Sequence, residues 1–504
     1  MTDQYLQTAR MHQAVGRGVS NGHLVRAKVN QFVGVLVIWT TLTAGTLAQN
    51  FSETSAPHSA QDFQKRAITR FARGDLNGAL ADYDSAIKLD PELATAYFHR
   101  GSLHRARGNK EKAFQDLNES IRLNPNLATA WYNRGTLLLE EENYDKALAD
   151  FDQALKLDPK LASAWNNRGH LRLRLGDPQL ALPDLNQAIK LNSHQPMSLY
   201  NRALAHHQLG RFELALQDLD RAIKFSNSGT VKNRFVIAIN QNLADFYVLR
   251  GAVRKALGNT DKALENYNQA LQINPEFAPA LHCRGEIWQQ RNDLERATED
   301  YLRAVEISPE SADTWFNLGV VQSLRKDHAA AIASYSRIIA LKPQMAEAWN
   351  NRGASRMALG DLDGAASDLE ESLRHNPRYQ FAWCNLGLTQ ISQKNWARAL
   401  ASFTQAIELD PKSASAYSSR GNIHFNLQQY QKALADYDRA MALTPQSAAV
   451  YFNRALTWLR LGQKTKAEQD FAQAQTFNPQ LKQAISAHLQ LATNESVASQ
   501  RKNP

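Results

Sequence analysis

Ten prolines stand 34 residues apart within two runs, at 91, 125 and 159 and at 275, 309, 343, 377, 411, 445 and 479. Proline has no amide hydrogen, fixes φ and disfavours the helical conformation in the residue before it. A helix stop that recurs every 34 residues leaves room for about two helices per period, so the chain must be a linear array. Between Pro159 and Pro275 lie three periods and 14 extra residues. Counting places from Ala60 gives twelve units, which start at 60, 94, 128, 162, 196, 244, 278, 312, 346, 380, 414 and 448 and end at Leu481.

Three places carry the packing pattern. Place four is aromatic in ten units, among them Phe63, Tyr97, Trp131, Trp165 and Tyr451, and Leu in two, Leu199 and Leu281. Place eight is Gly in nine units and Ala at Ala67, Ala203 and Ala455, although a mid-helix Gly costs about 1 kcal/mol relative to Ala, a cost that only close helix contact justifies. Place twenty is Ala in all twelve, where the second helix crosses the first. Gly74, Gly108, Gly176, Gly210, Gly258, Gly360 and Gly462 fall between the helices, where a left-handed residue ends the first, and Asp75 and Asn109 are suited to cap the second.

A 34-residue helix pair with these aromatic, small and proline places closely resembles the tetratricopeptide-repeat family, over residues 60–481. The resemblance implies an all-α fold, a right-handed α-solenoid of about twelve helix-turn-helix units. It also implies a groove lined by the first helices that takes extended peptides or partner helices, so the expected ligands are other proteins. Places five, six, nine and twelve should then point inward, which names Phe98, Tyr132, Asn133, Asn167, His170, Tyr200, Asn201, His207, Phe316, Asn317 and Asn351 as candidate groove residues. Asn can hold a ligand backbone while rings bury its side chains; ordinary packing between repeats is the alternative for about half of them. Chaperone-tail binders of the family use Lys at place five, which no unit here has. RNA-binding helical repeats are the rival reading, with a different period and signature.

Place seven is Arg in ten units and place twenty-three Asp in nine, so Arg66 should face Asp82, Arg134 Asp150 and Arg454 Asp470 inside their hairpins. Where place seven is Leu, at Leu318 and Leu386, place twenty-three is Ser, at Ser334 and Ser402, and Arg250 is matched with Asn266. The two places change together, as a structural ion pair would require.

The middle is irregular. Units four and five lack the closing proline, having Ser193 and Asn227, and Pro183 falls where a second helix should run, which predicts a kink. In the insertion at 230–243, Phe235, Ile239, Leu243 and Tyr247 are spaced by four, so the next helix should begin early, as a cover for the junction or as a docking segment. After unit twelve, residues 482–493 should form a capping helix and 494–504 a polar tail.

Residues 32–48, FVGVLVIWTTLTAGTLA, are uncharged, follow a basic stretch and end in small residues. Residues 1–48 therefore read as a signal peptide or an N-terminal membrane anchor, with 49–59 as a spacer. That predicts an exported or membrane-anchored protein; a cytoplasmic tail is the alternative. The formal net charge of +9 is mixed with acids in every unit, unlike the one-sided charge of a nucleic-acid binder. Cys283 and Cys384 lie three repeats apart, too far for a disulfide. The 14 histidines, including the neighbours His206 and His207, show no metal-ligand spacing, and no phosphate loop or nucleophile elbow occurs. No cofactor, metal or small-molecule substrate is expected, and a non-enzymatic scaffold is.

Overall fold

The structure is a computed structural model that describes residues 58–228 and 236–490, with side chains from 58 to 227 and from 243 onward. The apolar segment 32–48, most of the spacer, Phe235 and the polar tail lie outside the described residues. Among these residues every regular element is helical and none is a strand. They form two compact units, divided near residue 288.

In residues 58–287 the helices run α1 (Ala60–Ala72), α2 (Leu76–Leu89), α3 (Ala94–Ala106), α4 (Lys110–Leu123), α5 (Ala128–Glu140), α6 (Tyr144–Leu157), α7 (Ala162–Arg174) and α8 (Pro178–Leu191). They continue through α9 (Pro196–Gln208), α10 (Phe212–Ser228), α11 (Val236–Ala256), α12 (Thr260–Ile273) and most of α13 (Ala278–Gln290). Residues 288–490 hold α14 (Leu294–Ile307), α15 (Ala312–Leu324), α16 (His328–Leu341), α17 (Ala346–Ala358), α18 (Leu362–His375), α19 (Gln380–Ser392), α20 (Trp396–Leu409), α21 (Ala414–Asn426), α22 (Tyr430–Leu443), α23 (Ala448–Arg460) and α24 (Lys464–Phe477). Each unit is an α-solenoid of helix-turn-helix hairpins.

Each hairpin closes on small residues. The place-twenty Ala is fully buried in all twelve repeats. Where place eight is Gly the helices meet too closely for a side chain: a β-carbon at Gly135 would lie 3.0 Å from the Asp150 Cβ, and one at Gly251 would lie 2.4 Å from the Tyr267 ring. Every turn within a hairpin passes through one residue with positive φ. Seven are the glycines expected there, such as Gly176 (φ 87°), and five are Glu142, Asn292, Lys326, Lys394 and Gln428, at φ between 58° and 65°. Those five carry about the strain that a side chain meets in the left-handed region, roughly 1 kcal/mol or more each.

Between hairpins the place-four tryptophans do a second job. The indole N–H groups of Trp131, Trp165, Trp315, Trp349 and Trp383 donate to the carbonyls of Pro125, Pro159, Pro309, Pro343 and Pro377 at 2.8–3.0 Å. Each ties its helix to the proline that closed the previous repeat, so two distant sequence signals are one joint.

The irregular middle takes two forms. α8 runs unbroken through Pro183. α11 begins at Val236, eight residues before its repeat's first place, and buries Leu243 and Phe246 against Leu199, Tyr200 and Leu219. At the end of the array, residues 482–490 are helical and Ile485 packs on Ala455, Ala467 and Phe471, with Leu489 beside them.

Candidate partner-binding face

A charged clamp orders the back of the first helices. Arg134 donates from Nε and Nη2 to the two carboxylate oxygens of Asp150 at 2.8 and 2.7 Å, stacks over Trp131 at 4.8 Å, and reaches from Nη1 to Asn118 of the previous hairpin at 2.8 Å. The pairs Arg66–Asp82 and Arg454–Asp470 have the same two-pronged geometry, 2.6–2.9 Å. Arg100, Arg168, Arg202, Arg352 and Arg420 repeat it. The third arm recurs too, from Arg100 to Asp84 and from Arg168 to Asp152. The Arg therefore links two helices of its own hairpin and the hairpin before it.

Place eleven belongs to this cluster, and the sequence pattern did not reveal it. Arg172 and Arg356 there add a second guanidinium to Asp184 and Asp368, and His104 and His424 stand 3.9 Å from Asp116 and Asp436. In the repeats with Leu at place seven, Gln322 and Gln390 occupy it and accept from Ser334 and Ser402 at 2.7 and 2.8 Å. A buried carboxylate without its Arg would be costly, so a neutral Ser–Gln pair replaces the whole clamp. The residue types at place eleven vary too widely for spacing alone to single it out.

The front of the first helices is more mixed than the sequence suggests. Of the eleven candidate groove residues, Tyr132, Asn133, Asn167, Tyr200 and Asn201 are buried. They join neighbouring first helices instead of facing solvent. Asn133 donates to Ser102 at 2.8 Å, Asn167 to the Tyr132 hydroxyl at 3.3 Å, and Asn201 to Asn166 at 3.0 Å, each one hairpin back. Within the second unit Asn385–Asn350 and Asn453–Asn422, both 2.9 Å, make the same kind of amide contact. The physical reason is that adjacent first helices approach closely, and an amide at place six is the group that spans the gap.

Phe98, His170, His207, Phe316, Asn317 and Asn351 remain partly open. Burial holds His170 down to about 4 with help from the Arg174 charge, and it lowers His207 as well, so both imidazoles are uncharged hydrogen-bonding groups near neutral pH. Two charge pairs lie on this face in the first unit: Arg105 with Glu140 at 2.6 Å, and Lys255 with Glu286 at 2.9 Å. Burial raises Glu286, but the hydrogen bonds and charges of His282 and Lys255 more than reverse it, to about 2. Cys283 and Cys384 are free thiols, pushed up to about 12 mainly by burial.

Among the described residues no three His, Cys, Asp or Glu side chains are placed to share a metal ion, and no helix is long and apolar enough to cross a membrane.

Family models described as "Tetratricopeptide repeat" match residues 134–198 and 420–492, 350–414 and 384–448, 244–277, 117–149, and 94–127, 198–228 and 312–345; one described as "TPR repeat" matches 69–105 and 287–324. No curated protein matches the chain. Solved structures that resemble it include the APC/C hetero-tetramer Cut9-Hcn1, at 16% identity and a TM-score of 0.42 over 83% of this chain and 94% of that one. Yeast Tom70 resembles it at 13% identity and 0.36, over 88% and 99%, and YrrB, described as a TPR protein with an unusual peptide-binding site, at 24% and 0.33, over 40% and 97%.

Proposed function

We propose, from the premise that this chain belongs to the tetratricopeptide-repeat family, that it is a non-catalytic scaffold whose first-helix faces hold peptide segments or helices of partner proteins during complex assembly. Family membership makes it a protein-interaction scaffold in the broad sense; the groove and its occupant are our reading. One observation carries it. The clamp side of the first helices is closed by Arg–Asp pairs or by the neutral Ser–Gln pairs that replace them, whereas Phe98, His170, His207, Phe316, Asn317 and Asn351 stay partly open on rigid helices. Rings and uncharged amides or imidazoles on a preorganised surface suit a polypeptide, which offers both backbone hydrogen bonds and apolar side chains.

Affinity capture of the full-length protein from its native cells, separated into soluble, membrane and exported pools, tests this. Reproducible protein partners should be recovered, and should be lost from the triple variant Phe98→Ala, His207→Ala, Phe316→Ala with its helicity intact. RNA in place of protein, or partners retained by that variant, would overturn it. The pool that holds the protein also tests the export or anchoring role proposed for residues 32–48.

A further inference from the structure

At two junctions within residues 58–287, place two of a repeat sits beside place five of the hairpin before it. Thr95 Oγ1 lies 3.1 Å from Gln64 Oε1, and the Ser163 hydroxyl bonds to Tyr132 in the same way. In α11 this place is Asp245, and its neighbour is Tyr200, whose hydroxyl titration is raised by burial and then by the Asp245 charge.

Two other repeats carry an acid at place two, and both have compensation. Asp313 lies in the first turn of α15 with the Lys342 Nζ at 3.4 Å, and Glu347 lies in the first turn of α17, exposed to water. A first turn has free amide hydrogens and the positive end of the helix dipole. Asp245 has neither advantage, because α11 starts at Val236 and so places it in the third turn. The nearby Leu243, Ala244 and Phe246 are buried, with the Phe246 ring 5.0 Å from that of Tyr200. Arg105, Arg174 and Lys255, on the first helices of this unit, already hold Glu140, Glu142 and Glu286. Among the described residues Asp245 forms no ion pair and no hydrogen bond, yet it is only half-buried and still reachable from solvent.

We propose that Asp245 is the docking point for one cation of a bound polypeptide: the ammonium of a lysine or free amino terminus, or the guanidinium of an arginine. This rests on the reading that the first-helix face of residues 58–287 holds polypeptide. A carboxylate partly withdrawn from water without a counter-charge destabilises the free protein, and a cation on the bound chain supplies the missing partner. Burial lifts the carboxyl to about 7 in the free protein, which agrees with that vacancy of charge. A guanidinium would engage both carboxylate oxygens, whereas an ammonium would bind as a point charge.

The test uses the full-length protein and an acetylated decapeptide library in which one position at a time is fixed as Lys, Arg, norleucine or citrulline, with a parallel set bearing free amino termini. Wild type should prefer Lys or Arg at one position, or a free terminus, by at least about tenfold, the discrimination of one charge-assisted bond. Asp245→Asn and Asp245→Thr, the latter carrying the residue found at place two in Thr95 and Thr129, should fold and lose that preference while still binding peptides. Peptide binding with no basic preference, or a preference that survives in both variants, overturns the inference and leaves the groove reading standing. No retained peptide at all overturns both.

Discussion

Asp150→Ala is the sharpest probe of the clamp. The Asp150 side chain is 5% exposed and that of Arg134 20%. Removing one partner of a fully buried pair costs about 3–5 kcal/mol, and losing an exposed pair costs about 0–1. After the substitution Arg134 keeps Asn118 and its Trp131 stack and gains some water, so the cost should be about 2–3 kcal/mol. Repeat arrays open locally, so the quantity to measure is amide exchange in α5 and α6, followed by mass spectrometry. The expected acceleration is roughly 30- to 150-fold, at 1.4 kcal/mol per factor of ten. Ser402→Ala strands only the buried Gln390 carbonyl and should cost about 1–2 kcal/mol. The triple change Arg134→Leu, Leu138→Gln, Asp150→Ser transplants the neutral arrangement of Leu386, Gln390 and Ser402 into the third repeat. It should bring exchange back to within about 1 kcal/mol of wild type. Equal losses for Asp150→Ala and Ser402→Ala, or a triple variant as unstable as Asp150→Ala, would refute the clamp as an energetic unit.

Further expectations concern single sites. Gly251→Ala must displace the Tyr267 ring, which a new β-carbon would approach to 2.4 Å, and should cost about 1–3 kcal/mol in the same exchange assay over α11 and α12. Burial pushes the folded Asp245 carboxyl up to about 7, from 3.8 for an ordinary aspartate; the folded state then binds the proton more tightly, so its stability falls as pH rises from about 4 to 7. The melting temperature of wild type should drop over that window relative to Asp245→Asn, and parallel curves would contradict it. Cys283 and Cys384, with thiols pushed up to about 12, should resist iodoacetamide at pH 8 until denaturant is added; rapid native alkylation counted by mass spectrometry would show that the burial is wrong.

The hairpin was legible because its causes are local. Pro91 stops a helix, Gly101 admits a neighbour and Ala113 marks the crossing, each through properties of one residue. The Arg–Asp pair was legible because both partners change together, as Leu386 and Ser402 show. Contacts made one hairpin back were not. Nothing at Asn118 itself announces that Arg134 will reach it, and Asn167 reads equally well as a ligand grip or as a spacer between helices until its neighbour's distance is known. The same ambiguity misplaced Tyr132 and Tyr200, whose rings fit a groove by type and are buried by position. Asp245 escaped because its significance depends on where α11 begins, which the spacing of Leu243 and Tyr247 indicated only as an early start.

The central claim is that partners lie on the first-helix face. A photo-crosslinking amino acid placed singly at Phe98, Phe316 and, as the outward-facing control, exposed Leu89 in full-length protein within its native cells tests it most directly. Protein adducts from positions 98 and 316 and none from 89 are predicted; adducts from 89 alone, or adducts to RNA, would contradict the account.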